Sequence, residues 1–261
     1  NRLYYKSWGT SGRPLCDYFC LSTEHRVLSA AHRATQIFWS KSPEGPFLPF
    51  ESKTPHTPLD EMCLDGTLWV EDGKPYMIYC HEWVEMIDGT MELVELKKDL
   101  SATVGQPMRL FCASAAEWST GSPRSDGTRT YGTDGCYLYR TKTGKLLMIW
   151  SSFKNGDYAI GIAESTTGKV IGPWRQQAQP LFEKNGGHGM IFTDTDGKQY
   201  LCCHSPNQPC EECKERTVIL SVTERNGLKL DNLSFTFGVG KKQMYINPLK
   251  IKLPSSTVLV D

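Results

Sequence analysis

The sequence predicts an all-β chain built as a β-propeller. Three observations carry that prediction: short aromatic and β-branched runs in place of helix patterns, turn dipeptides at hairpin spacing, and a module that recurs along the chain. The runs are 67–70, 76–80, 146–150, 158–163, 190–193 and 199–203, each bounded by Gly, Pro, Asp or Ser, which reads as strands. The turns are Asp72-Gly73, Asp88-Gly89, Asn155-Gly156, Asp196-Gly197 and Asn226-Gly227. Such pairs suit tight hairpins, because the central positions need positive φ.

The recurring module is a Gly-Lys turn followed by an apolar strand. It occurs at Gly73-Lys74, Gly144-Lys145 and Gly197-Lys198, that is, at intervals of 71 and 53 residues. Cys16-Asp17 is a degenerate copy. A second module, Gly-Pro-aromatic, closes two units at Gly45-Pro46-Phe47 and Gly172-Pro173-Trp174. Four-stranded repeats of roughly 40–50 residues or slightly more are the mark of propeller blades. The repeats fall near 15–60, 61–125, 130–180 and 185–225, with 226–261 left to close the ring as one catalytic-type domain over 1–261.

Composition narrows the function classes. The 29 basic and 29 acidic residues cancel, so no global field gathers a polyanion and a dedicated nucleic-acid binder is not expected. A hydrophobic content of 39% with 22% charged residues fits a globular protein and excludes wholesale disorder. No apolar run approaches the roughly 20 residues of a membrane span. The chain opens on Asn1 without a leader pattern; a leader already removed, a leader never present and a fragment are all open readings. Among the ten cysteines, Cys20, Cys80 and Cys112 sit in apolar runs and read as buried thiols. Cys202-Cys203-His204 with Cys210 and Cys213 leaves structural zinc, a disulfide and unpaired thiols open.

The repeat also places chemistry. Eight to ten residues before each Gly-Lys turn stands a polar residue and a glycine: Asp65-Gly66, Asp134-Gly135 and His188-Gly189. Equivalent positions on innermost strands surround one axis, so two carboxyls and an imidazole are expected around a common channel. The plain alternative is that each pair caps a strand. Carboxyls facing across a cleft suit glycosidic hydrolysis, one donating a proton and one activating water, with a third holding the acid's proton by like-charge repulsion. The imidazole would orient a carboxylate or bind a metal. Trp69, Trp83, Trp118 and Trp150 are candidates to stack on sugars, or plain core. No nucleophile elbow, phosphate loop, dinucleotide fingerprint or His-Glu-x-x-His pattern is present.

These segments resemble glycoside hydrolase family 43. Leu64-Asp65-Gly66-Thr67-Leu68-Trp69 with Asp72-Gly73-Lys74 is similar to that family's Ile-Asp-Pro segment and its following Asp-Gly-Lys turn. Ser42-Pro43-Glu44-Gly45-Pro46-Phe47 resembles its blade end, Thr133-Asp134-Gly135 its Thr-Glu-Gly-Pro segment, and Gly187-His188-Gly189 its Gly-His-Gly. The resemblance covers about residues 30–225. It implies a five-bladed β-propeller, with the first blade incomplete or rearranged, and an inverting, exo-acting arabinofuranosidase or xylosidase. It implies that Asp65 tunes the acid, Asp134 is the proton donor, and His188 supports a calcium ion on the axis. Arg33, Trp69, Trp83 and Trp150 are expected to bind substrate. The partner is then a pentose-containing oligo- or polysaccharide, with the protein a monomer, exported, and engaging neither nucleic acid nor membrane.

Two departures stand out. Asp134 is one methylene shorter than the family's Glu, which makes Glu82, in His81-Glu82-Trp83, the second candidate acid. No segment matches the family's Asp-Pro-x-x-Leu base cleanly. Asp17 has only a superficial likeness, and 18–22 reads instead as a strand leading towards 32–37. A sugar-binding or degenerate propeller without a base, and a scaffold for protein partners, are the competing readings.

Overall fold

In a computed structural model the described residues are 3–8, 16–27, 30–41, 45–208, 215–224 and 227–237, with backbone alone for 3–8, 16–27, 30–32 and 232–237. They form four four-stranded antiparallel sheets, each a meander whose spatial order is the chain order. The first holds β1 (Leu3–Trp8), β2 (Cys16–Val27), β3 (Ala30–Ser40) and β4 (Leu48–Pro49). The second holds β5 (Cys63–Glu71), β6 (Lys74–His81), β7 (Thr90–Leu96) and β8 (Thr103–Cys112). A two-stranded ribbon, β9 (Ser122–Pro123) with β10 (Arg129–Thr130), precedes the third sheet. That sheet holds β11 (Asp134–Arg140), β12 (Leu146–Lys154), β13 (Asp157–Ser165) and β14 (Trp174–Gln176). The fourth holds β15 (Gly187–Thr193), β16 (Gln199–Ser205), β17 (Arg216–Thr223) and β18 (Lys229–Phe237).

The sheets are propeller blades. Strand β11 packs against β5 on one side and β15 on the other, so the first strands of successive blades meet at the centre. The sequence modules fall at fixed places in this plan. Each Gly-Lys turn leads into a second strand, β6, β12 or β16, and each Gly-Pro-aromatic module leads into a fourth strand, β4 or β14. The first sheet takes in β1 ahead of residue 15, and β18, within 226–261, is the fourth strand of the last sheet.

Blades bury both faces, which is why the strands read as unbroken apolar runs. Along β12, Leu146, Met148 and Trp150 join a cluster with Ile78, Cys80, Met91 and Leu93 of the second blade. The alternate residues Leu147 and Ile149 face the fourth blade, joining Leu201, Cys203 and Leu220. Likewise β6 sends Met77 and Tyr79 towards Ile37 of the first blade, and Ile78 and Cys80 towards the third. The two-residue period of a strand therefore glues each blade to both neighbours. His56 adds a polar tie. The Ile37 N–H donates to His56 Nδ1 at 3.2 Å, and His56 Nε2 lies 3.0 Å from the Leu100 carbonyl. Those partners require a neutral ring, and burial lowers its pKa while the Leu100 carbonyl opposes.

Candidate active site

The first strands of the second, third and fourth blades each carry one β-bulge: between Leu64 and Thr67, between Asp134 and Tyr137, and between Gly187 and Met190. A bulge re-aims a side chain while the strand continues. In each, one residue takes the left-handed conformation: Asp65 (φ 59°), Gly135 (φ 53°) and His188 (φ 53°). The three polar positions are therefore not strictly equivalent, which corrects the in-register expectation. Asp65 and His188 occupy the same bulge position, while Asp134 stands one residue earlier and leaves that position to Gly135. A Cβ on Gly135 would lie 2.8 Å from both Cα and Cγ of His188, so the glycine admits the imidazole to the centre.

The expected convergence is nonetheless present. Donor atoms of Asp65, Asp134 and His188 all lie within 4.8 Å of one another. His188 Nδ1 is 3.2 Å from Asp134 Oδ1 and 3.7 Å from Asp65 Oδ2. The Gly135 N–H donates to Asp65 Oδ2 at 3.3 Å, and the Tyr158 hydroxyl donates to Asp134 Oδ2. The Ser151 hydroxyl accepts the His188 N–H at 2.8 Å. Glycine explains the flanks of His188. A Cβ on Gly187 would meet Tyr158 Cε1 at 2.2 Å, and one on Gly189 would meet Leu201 and Ile160. Gly187 thus clears the path by which Tyr158 reaches Asp134.

Burial separates the carboxyls. The Asp65 and His188 side chains are each 4% exposed, against 32% for Asp134. Asp65 is pushed well above the usual carboxylate range, first by burial and then by the charge of Asp134, with the Gly135 N–H opposing. Carboxyl oxygens of Asp65 and Asp134 lie within 4.8 Å of each other, so like charge favours one of the pair keeping its proton.

Glu82 follows the last residue of β6 and is 6% exposed. Its Oε1 meets Arg33 Nη1 at 2.9 Å, and its buried Oε2 has no hydrogen-bond partner among the described residues. Burial raises its pKa, Arg33 pulls it back, and Asp134 and Glu85 push it up, to about 7. Beside it, Trp83 is 39% exposed, and its ring lies against Gly132, where a Cβ would fall 3.1 Å from Trp83 Cδ1.

The remaining sequence candidates lie elsewhere. Trp150 is 0% exposed, packed on Phe111 and Trp118 with its indole N–H donated to Gln176. It is core and no sugar reaches it, so its substrate role is corrected, as is that of Trp118, 3% exposed in the same cluster. Trp69 is four residues along β5 from Asp65, about 13 Å of strand. It lies under the Arg140 guanidinium in a cavity of 680 Å³ with Glu71, Asp72 and Lys169, so it too is removed from the substrate site. Arg33 and Trp83 stand beside Glu82, Arg33 through its ion pair and Trp83 as the next residue in the chain. Asp17 pairs with Ser7 and Ser40 on a second strand, β2, not on an innermost one. Cys202 and Cys203 are free thiols; Cys210 and Cys213 lie outside the described residues. Tyr158 and Ser151 were not legible. A tyrosine or serine inside an apolar run carries no signal of what it reaches across to the next blade.

Asp65, Asp134 and His188 are grouped closely enough to share one metal ion, but among the described residues they do not by themselves complete a calcium shell. Calcium takes six to eight oxygens. Asp65, Asp134 and His188 offer two carboxyls and a nitrogen, and Asp65 Oδ2 and Asp134 Oδ2 already accept Gly135 N–H and Tyr158 O–H. No step below is routed through an ion.

With the fold and cleft in place, comparison with known proteins is informative. The sequence profile of glycosyl hydrolases family 43 matches residues 17–228. An endo-arabinase of Bacteroides thetaiotaomicron VPI-5482 is 38% identical, covering 85% of this chain and 75% of its own, with a TM-score of 0.74. A thermostable family-43 glycoside hydrolase is 21% identical over 92% and 78% of the chains, with a TM-score of 0.70. An endo-1,4-beta-xylanase of Bacteroides thetaiotaomicron VPI-5482 shares the fold at 19% identity over 88% and 75%, with a TM-score of 0.64. No curated protein matches the sequence. The fold is a five-bladed β-propeller, of which the described residues make four four-stranded blades. On the profile match and the 38% relative together, the chain belongs to glycosyl hydrolase family 43.

Proposed function

We propose that this chain hydrolyses arabinofuranosyl linkages of arabinan, within the polymer, by an inverting acid/base mechanism. The observation that carries the reading is the meeting of Asp65, Asp134 and His188 where the first strands of the second, third and fourth blades converge, with Glu82 near enough to feel the charge of Asp134 and both Asp65 and Glu82 pushed towards the neutral form. The substrate follows the endo-arabinase that is 38% identical, which also favours interior cleavage over the exo action expected from sequence.

Glu82 is the proton donor in this reading. Among the described residues its buried Oε2 has no hydrogen-bond partner, so in the neutral form its proton is available to a substrate oxygen. A pKa near 7 lets it hold a proton at neutral pH and release it to a leaving oxygen. Asp134, the more exposed carboxyl, faces His188 and accepts the Tyr158 hydroxyl. Its charge keeps the protons on Glu82 and Asp65. The water-activating base is not assigned to a described side chain.

The test is sugar release from linear arabinan, arabinoxylan and aryl pentosides, with the anomer read by NMR. Shortened arabinan chains that emerge with inverted configuration support the proposal. Retained configuration, or xylose release with arabinan untouched, overturns it.

A further inference from the structure

The segment 82–89, joining β6 to β7, exposes three large apolar side chains within five residues: Trp83 at 39%, Val84 at 45% and Ile87 at 58%. Adjacent exposed apolar groups are the kind of surface that binding partners cover. The loop is braced at both ends. The N–H groups of Glu85 and Met86 donate to the Glu82 carbonyl at 3.1 and 3.0 Å. The Tyr131 N–H donates to Ile87 O at 2.9 Å, and Gly89 N–H returns to Tyr131 O at 2.8 Å. Glu85 anchors inward, with Oε2 2.8 Å from both His81 Nε2 and the Met62 N–H. The Asp88 carboxylate accepts the N–H and hydroxyl of Ser114. Every polar group named here ties the loop down, and the apolar ones point out.

The patch is continuous with the cleft. Trp83 adjoins Glu82 in sequence, and its ring rests on Gly132, two residues before Asp134. We propose that Trp83, Val84 and Ile87 form a platform for the pentose units of an arabinan chain beyond the bond being cleaved, taking the C–H faces of the furanose rings. The occupant is a sugar chain because the surface begins at the carboxyl that would protonate the linkage, so a chain held there is aligned with the chemistry. Furanose faces are apolar and flat enough to lie on an indole and two aliphatic groups. This inference rests on the arabinan reading above and deepens it, by assigning polymer preference to one loop.

The test separates the platform from turnover. Affinity electrophoresis through gels containing linear arabinan reads binding without hydrolysis, using the wild type, Trp83→Ala and the double variant Val84→Ser/Ile87→Ser. These side chains are exposed, and thermal melting checks that the variants fold. The wild type should be retarded, and each variant should bind about tenfold more weakly, the loss of one well-formed apolar contact. The ratio of kcat/KM on arabinan to that on an aryl arabinofuranoside should fall by a similar factor. No retardation of the wild type, or equal retardation of folded variants, overturns the platform. A concentration-dependent dimer lost with the same substitutions would reassign the surface to self-association. Retardation without any hydrolysis would leave the platform standing and sink the hydrolytic reading instead.

Discussion

Arg33→Met tests which carboxyl donates the proton. Arg33 Nη1 sits 2.9 Å from Glu82 Oε1, and the guanidinium favours the ionised carboxylate. The Arg33 side chain is 45% exposed, so a water-like dielectric is the fair choice. At 2.9 Å that attraction is about 1.4 kcal/mol, or about one pH unit. Methionine keeps most of the aliphatic stem and removes the charge. Glu82 must be protonated to act, so activity falls as pH rises through its pKa of about 7. With Arg33 gone, that alkaline limb should move up, to roughly pH 8. The assay is kcat/KM against pH on an arabinofuranoside with a poor leaving group, because that parameter reports the free enzyme's ionisations. A lost substrate contact would lower the whole profile without moving the limb. A limb that stays near its original pH while activity remains measurable refutes Glu82 as the donor and returns the role to Asp134.

The other predictions are independent of that one. Glu82→Gln should lower kcat by about 10²–10⁴-fold on poor leaving groups and far less on activated aryl leaving groups; equal losses across a leaving-group series would remove Glu82 from proton transfer. His81 should make stability pH-dependent: burial alone would lower its pKa, but the Glu92 carboxylate 3.8 Å away, the hydrogen bond to Glu85 and the charge of Glu61 raise it to about 9. A raised imidazole stabilises fully below its unfolded pKa near 6.5 and loses that contribution as pH climbs through 9. Denaturant titrations should therefore lose up to about 3 kcal/mol across that window, and His81→Gln should flatten the slope; a wild type as stable at pH 9.5 as at pH 6 would contradict it. Gly135→Ala should cost more stability than Gly144→Ala and also abolish most activity. Both glycines have positive φ, but only at Gly135 would the new Cβ strike His188; equal melting points and retained turnover would count against the packing argument.

How much was legible follows from what a one-dimensional pattern can carry. The blades were readable because each repeats the same turn at the same place: Gly73, Gly144 and Gly197 all take positive φ with nothing within 4 Å of a would-be Cβ. Their role is local, so sequence suffices. Asp65, Asp134 and His188 were readable as a set because the repeat places them at the start of first strands. Their one-residue stagger was not, since a bulge changes register without changing composition. Of the three tryptophans removed from the rim, Trp150 failed for a related reason. Trp150 alternates with Ile149 along β12, and both faces of that strand are buried, so no period-two signal separates a cleft-facing indole from a core one. Trp83 differs because it follows the strand end, where the chain leaves the core, and it is exposed.

The stagger at Asp134 bears on why a glutamate is missing from the third blade. Asp65 and His188 take the left-handed position themselves, a conformation costing an ordinary residue about 1–2 kcal/mol and tolerated best by short polar side chains. In the third blade Gly135 takes that position without the cost, and the carboxyl moves one residue upstream. There its short arm is engaged by Tyr158 and faces His188. A carboxyl so engaged is well placed to be a fixed charge and poorly placed to swing towards a leaving group. The reach that a glutamate would supply is instead available from Glu82, at the end of β6 in the preceding blade, where one oxygen is held by Arg33 and the other is unused. The proton donor has in this reading moved from a first strand to the loop after a second strand, and the loop that carries it also carries the apolar platform beside it. The segment 82–87 would then carry both the proton donor and the polymer preference of the enzyme, so substitutions at Trp83, Val84 and Ile87 should change substrate length dependence, whereas substitutions at Arg33 and Asp134, whose charges act on the ionisation of Glu82, should change the pH profile.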